Sequence, residues 1–206
     1  CSSDLVKIIS NSNSVIIVLH EIYGINQHIK LVCEKFSMAG YDIICPNLIN
    51  LNHPFNYDQE DEAYHHFKRN IGFDLAFKQV KRLIIKAKKQ YRYVYLLGYS
   101  IGATIAWLCS GEDTMCDGII GYYGSRIRDY MSVAPKCPVL LIFPTEEKSF
   151  NVKELVSSLK KWNVNIHILR GKHGFSDPFS KNYCTQSFEE AEILVNSFLK
   201  RILENS

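Results

Sequence analysis

An α/β architecture, with a mostly parallel central sheet and helices on both faces, follows from three features of this 206-residue chain. Short apolar runs alternate with amphipathic segments along its whole length, and strands separated by helices pair in parallel. Val15 to Leu19 is apolar and largely β-branched throughout, as a strand buried on both faces must be. No internal repeat, low-complexity tract or linker breaks the pattern, so residues 1–206 are expected to form one domain.

Leu5 to Ile9 is the first expected strand. The turn-rich Ser10-Asn11-Ser12-Asn13-Ser14 separates it from Val15–Leu19, with which it is expected to pair as a hairpin. Asn26 to Ala39 carries Ile29, Val32, Cys33 and Phe36 at helical spacing and ends at Gly40, a C-cap residue. Tyr41 to Cys45 reads as the next strand, closed by Pro46. Residues 47–69 show no strong period and hold His53, Tyr64, His65 and His66. Phe73, Ala76, Phe77, Val80, Ile84 and Ala87 mark one face of a long helix. Lys78, Lys81, Arg82, Lys88 and Lys89 fall largely on the other, which reads as a solvated face rather than a nucleic-acid patch. Strand Tyr93–Gly98, helix Ile101–Cys109, strands Gly118–Tyr122 and Val139–Phe143, helix Val152–Trp162, strand Val164–Leu169 and a helix from about Phe188 to Leu203 complete the order.

Composition narrows the function. A net charge of +3 is too mild to imply nucleic acid or an anionic membrane. No apolar run approaches the roughly 18 residues of a membrane span, and the N-terminus lacks the pattern of a signal peptide. The seven cysteines (Cys1, Cys33, Cys45, Cys109, Cys116, Cys137 and Cys184) are odd in number and form no CxxC pair. That usage implies reduced thiols and a cytoplasmic location. His65 and His66 are adjacent, so they do not share a helix face, and no Cys/His cluster has ligand spacing; no metal is expected. No phosphate-cradling loop or dinucleotide fingerprint implies a cofactor.

Residues 96–103, LLGYSIGA, carry the chemistry. Ser100 lies between strand 93–98 and helix 101–109, at the carboxyl end of the sheet, where reactive groups collect. A nucleophile on this tight turn has a strained backbone, and Gly98 and Gly102 relieve the crowding. G-x-S-x-G alone arises by chance in about one chain in fifteen of this length; the strand before it and the helix after it make it specific. The base must follow Ser100 in the chain, which leaves His167 and His173. His167 alternates within a strand, whereas His173 sits between glycines in Arg170-Gly171-Lys172-His173-Gly174-Phe175 and is the expected base. The loop after strand 139–143 offers Glu146 and Glu147 as the acid that holds His173.

With these residues in place, the chain resembles the dienelactone hydrolase family of α/β-hydrolases. The resemblance runs from about Val15 to Leu199 and rests on LHEIYGINQHI (19–29), AGYDIICPNL (39–48), LLGYSIGA (96–103), GIIGYYG (118–124), CPVLLIFPTEE (137–147) and GKHGFSD (171–177). It implies an α/β-hydrolase fold without a cap domain and hydrolysis of esters or lactones through an acyl-enzyme. It aligns the acid with Glu147, brings Glu21 to the nucleophile, and assigns the oxyanion donors to the backbone N–H groups of Ile22 and Ile101. It also places Tyr64 at a pocket position of the family, and the aromatic residues Tyr122, Tyr123 and Phe175 are expected to line an apolar or neutral pocket beside it. The chain departs from the family in carrying serine where the dienelactone enzymes carry cysteine. The substrate-binding arginines are also missing, their places falling near Glu60 and Ser176-Asp177. An acidic residue repels a carboxylate that arginine would clamp.

The sequence therefore predicts a serine hydrolase for a small ester, lactone or thioester, working as a monomer or small homo-oligomer with no nucleic-acid or membrane partner. The competing readings are a peptidase or acyltransferase on the same elbow, and a non-catalytic relative that keeps the fold as a binding module.

Overall fold

The computed structural model describes residues 5–113 and 116–204; Cys1 lies outside them. Among these described residues seven strands form one sheet: β1 (Leu5–Ile8), β2 (Ser14–Leu19), β3 (Asp42–Pro46), β4 (Tyr93–Tyr99), β5 (Gly118–Tyr122), β6 (Val139–Glu146) and β7 (Asn165–Lys172). Their spatial order is β1-β3-β2-β4-β5-β6-β7. Every neighbouring pair is parallel except β1 with β3. Among the described residues six α-helices accompany them: α1 (Gln27–Met38), α2 (Glu60–His66), α3 (Gly72–Ala87), α4 (Ile101–Ser110), α5 (Val152–Leu159) and α6 (Thr185–Glu204).

Side-chain alternation along the strands divides the core into two layers. Val15, Ile17 and Leu19 of β2 pack with Val80 and Ile84 of α3, Ile105 and Trp107 of α4, and Leu155 of α5. Ile16 and Val18 pack on the opposite face with Ile29 and Phe36 of α1 and Val195 and Phe198 of α6. The strands between are buried on both faces, which is why they read as unbroken apolar runs. No helix among the described residues is long and apolar enough to cross a membrane.

The expected hairpin between β1 and β2 does not form. Both edges of β2 are occupied, by β3 and β4, and β1 runs antiparallel along β3, from Leu5 opposite Pro46 to Ile8 opposite Ile43. The turn after β1 is fastened to the start of β3: the Ser10 and Ser12 N–H groups donate to Asp42 Oδ1 at 2.9 and 3.1 Å.

Residues 47–69, which show no strong period, hold a 3₁₀ turn over Tyr57–Gln59, α2, and the start of a π-helical stretch over Phe67–Ile71 that leads into α3. Lys81 on α3 is tied down to Glu112 at 2.6 Å, and Lys88, which caps the end of α3, to Asp117 at 2.8 Å.

Candidate active site

Ser100 connects β4 to α4 with φ 53° and ψ −111°, a left-handed conformation that strains any non-glycine residue. The turn persists because its backbone is held: the Ser100 N–H donates to Tyr122 O at 2.9 Å, and its carbonyl accepts the Thr104 N–H at 3.2 Å. Both flanking glycines are required by space. A Cβ on Gly98 would stand 2.3 Å from Gly102 O, and one on Gly102 would stand 2.1 Å from Leu19 O. Gly102 therefore presses the first turn of α4 against the end of β2, drawing the segment 20–22 towards the elbow.

His173 follows β7 in a loop shaped by two left-handed glycines, Gly171 (φ 134°) and Gly174 (φ 83°). Its carbonyl accepts from Asn182 Nδ2 at 2.8 Å, and its ring packs 4.8 Å from the Tyr123 ring. The Nε2 atom lies 2.9 Å from Ser100 Oγ, and Nδ1 lies 2.8 Å from Glu147 Oε1. Of the two loop acids, Glu147 has a side chain only 5% exposed, while Glu146 is 67% exposed and stands 3.9 Å from Lys172 Nζ. An irregularity in the β6–β7 register between Pro144 and Glu146 sets which carboxylate turns inward. Thr145, which the sequence did not single out, ties the acid loop to the histidine loop: its hydroxyl accepts the Gly171 N–H at 3.1 Å and donates to Gly171 O at 3.2 Å. Burial acts to lower the His173 pKa, but the hydrogen bond and charge of Glu147, with the charges of Glu21 and Glu60, outweigh it and hold the imidazole above its ordinary value.

Around this chain of contacts, Ile101 heads α4, where a helix leaves its N–H groups without an internal acceptor. Neither the Ile101 nor the Ile22 N–H donates to another group among the described residues. His20 is fully buried, with Nδ1 at 2.6 Å from Glu21 O and Nε2 accepting the Leu48 N–H at 2.8 Å; burial pushes its pKa down to about 4. That pair of backbone bonds fixes the turn carrying Glu21 and Ile22. Glu21 is itself buried, which pushes its carboxyl up to about 7.

Three of the four expected pocket residues are buried. Tyr122 alternates to the α1–α6 face of the sheet and stacks on Tyr99 at 4.8 Å. Tyr123 and Phe175 are fully buried in the same layer, and the Tyr123 hydroxyl bonds to Ser176 Oγ at 2.9 Å. These rings lie within the core as support, Tyr123 against His173. Tyr64 alone of the four is half-buried, and its hydroxyl accepts from Arg126 Nη2. A surface hollow of about 380 Å³ lined by Phe55, Glu62, His65, His66, Arg69 and Asn70 contains none of Ser100, His173 and Glu147.

The sequence also gave little sign of a second polar group. Asp177, fully buried, accepts from the Tyr57 hydroxyl through Oδ2 and from the Phe179 N–H through Oδ1 at 2.8 Å. With Glu21 and His28 it forms a set of three possible metal donors. Asp177 was visible only as the replacement for an expected arginine.

Comparison with known proteins agrees with this architecture. Residues 6–203 match the model of the dienelactone hydrolase family. The chain is 37% identical over 169 residues to the uncharacterized protein YczH of Bacillus subtilis (strain 168), covering 81% of this chain and 82% of that one. It is 23% identical to carboxymethylenebutenolidase 1 of Cupriavidus pinatubonensis, covering 84% of this chain and 80% of the relative. A crystal structure assigned as a dienelactone hydrolase, from Klebsiella pneumoniae, superposes with a TM-score of 0.78 at 15% identity, over 93% of this chain and 88% of that one.

Proposed function

The chain belongs to the dienelactone hydrolase family, and from that premise we propose that it is a serine hydrolase cleaving a small neutral ester, lactone or thioester through an acyl-enzyme. The observation that carries this reading is the continuous hydrogen-bonded chain from Ser100 Oγ through His173 to Glu147. Ser100 attacks the carbonyl while His173 Nε2 takes its proton. Glu147 fixes the tautomer with the proton on Nδ1 and stabilises the imidazolium. His173 then returns the proton to the leaving group, and water repeats the sequence on the acyl-enzyme.

The Ile22 and Ile101 N–H groups hold the oxyanion in this proposal. Each donor of this kind is worth about 3 kcal/mol of transition-state stabilisation. Glu21 acts through charge on His173. Neutral substrates are favoured because Glu147 and Glu60 place negative charge around His173, to which Glu21 adds once it ionises at about pH 7, and negative charge opposes a carboxylate. A cytoplasmic setting and a single domain over 1–206 complete the reading; the described cysteines are free thiols, as a reducing compartment requires.

The test is reaction with a fluorophosphonate probe together with hydrolysis of p-nitrophenyl esters of graded acyl length. Labelling and turnover should be present in the native chain and absent in Ser100→Ala. A folded native chain that neither labels nor turns over would instead support a non-catalytic binding module.

A further inference from the structure

Glu21, His28 and Asp177 come from three separate segments and converge in the protein interior. They are 4%, 2% and 1% exposed, and one donor atom from each lies within 4.8 Å of the other two. His28 Nδ1 stands 3.7 Å from Asp177 Oδ2, beyond hydrogen-bond reach. Both His28 Nδ1 and Glu21 Oε1 are buried without a hydrogen-bond partner. Buried polar atoms are almost always satisfied, so two orphans on residues of one buried cluster need an explanation.

We propose that Glu21, His28 and Asp177 bind one divalent cation of the zinc class. One imidazole nitrogen and two carboxylate oxygens are a donor set such ions accept, at about 2.0–2.2 Å from each atom. Donors around an ion at those distances stand roughly 3.4 Å apart, so separations that lie within 4.8 Å here have to close by at most about 1.4 Å. Two carboxylates offset the ion's charge, which makes its burial tolerable.

The surroundings are built as those of a ligand set are. Asp177 is oriented by the Tyr57 hydroxyl and the Phe179 N–H, and the Tyr57 oxygen in turn accepts from Asn26 Nδ2 at 3.1 Å. The His28 ring is fixed by the edge of Tyr99 at 4.9 Å. Outer contacts of this kind set the direction of metal-binding side chains.

The experiment uses the full chain stripped with EDTA, titrated with Zn²⁺ by calorimetry and with Co²⁺ by visible absorption. The expected result is one equivalent per chain and a cobalt spectrum with d–d bands but no sulfur-to-metal charge transfer. Glu21→Gln, His28→Asn and Asp177→Asn should each weaken binding at least about 10-fold. The double substitution His65→Ala/His66→Ala should leave it unchanged. Absence of saturable one-to-one uptake overturns the proposal. So does a thiolate cobalt spectrum, or binding that survives all three substitutions or is lost in the double variant. Should a variant fail to fold, the native stoichiometry and cobalt spectrum still decide. Neither readout depends on turnover, so a failure here is separate from a failure of the hydrolase reading.

Discussion

Glu147 meets His173 at 2.8 Å, while its neighbour Glu146 points out to solvent beside Lys172. Glu147→Gln keeps the shape but allows the wrong histidine tautomer, and is expected to lower kcat by about 10²–10⁴-fold. Glu146→Gln should change it less than about 2-fold, since an exposed ion pair contributes little. Steady-state kinetics on a p-nitrophenyl ester compares the two; equal losses would remove Glu147 from its role.

The protonation of His173 predicts the pH profile. In the proposed mechanism the ring must be neutral to accept the serine proton, and its pKa is raised above the ordinary value of 6.5. The acid limb of kcat/KM should therefore be centred above pH 6.5 and rise with pH. Removing the Glu147 charge in Glu147→Gln should move that limb to lower pH, traced on the residual activity. An unmoved limb would mean that another group sets it.

Glu21 and His20 pull stability in opposite directions. The Glu21 carboxyl, pushed up from 4.5 to about 7, holds a proton in the fold that the unfolded chain releases, so stability is lost as pH rises through that window. Glu21→Gln is neutral throughout and should gain on the native chain by up to about 3 kcal/mol above pH 7. The gain from this source should vanish near pH 4.5. His20, pushed from 6.5 to about 4, makes the fold lose stability as pH falls through that range, which partly masks the Glu21 slope in the native chain. Urea midpoints in EDTA at three pH values test this: a difference between the two proteins that does not grow with pH contradicts it.

Gly102→Ala places a methyl 2.1 Å from Leu19 O and 2.9 Å from His20 O, both backbone atoms. Overpacking against backbone is expected to cost at least about 3 kcal/mol, which in a chain of this size lowers Tm by about 6–12 °C. Differential scanning calorimetry reads it; a Tm within 2 °C of native, taking ~1 kcal/mol as the limit, would show that the elbow can spread.

What was legible in the sequence depended on how local its cause is. Gly98, Ser100 and Gly102 form a motif because a single tight turn sets their spacing, and Gly171 and Gly174 flag the His173 loop for the same reason. Glu146 and Glu147 could not be separated by residue type, because the irregular β6–β7 register decides which one turns inward. The hairpin was misplaced because an apolar run carries no record of its neighbour; the bonds from Ser10 and Ser12 to Asp42, far along the chain, choose β3. Tyr122, Tyr123 and Phe175 have the same composition whether they line a pocket or fill a core, and strand alternation put Tyr122 on the other face. Glu21, His28 and Asp177 have no ligand spacing at all, since the sheet and α1 alone bring them together.

The strand order has a consequence for how the protein is made. Ser100 follows β4 near the middle of the sheet, whereas His173 follows β7 at its far edge. A ribosome delivers the elbow well before its partner, and parallel strands close only through long crossovers. Helix and strand signals should thus appear during refolding before Ser100 acquires its base. Reactivity of Ser100 would then report the last strand docking, an internal clock for completion of the fold.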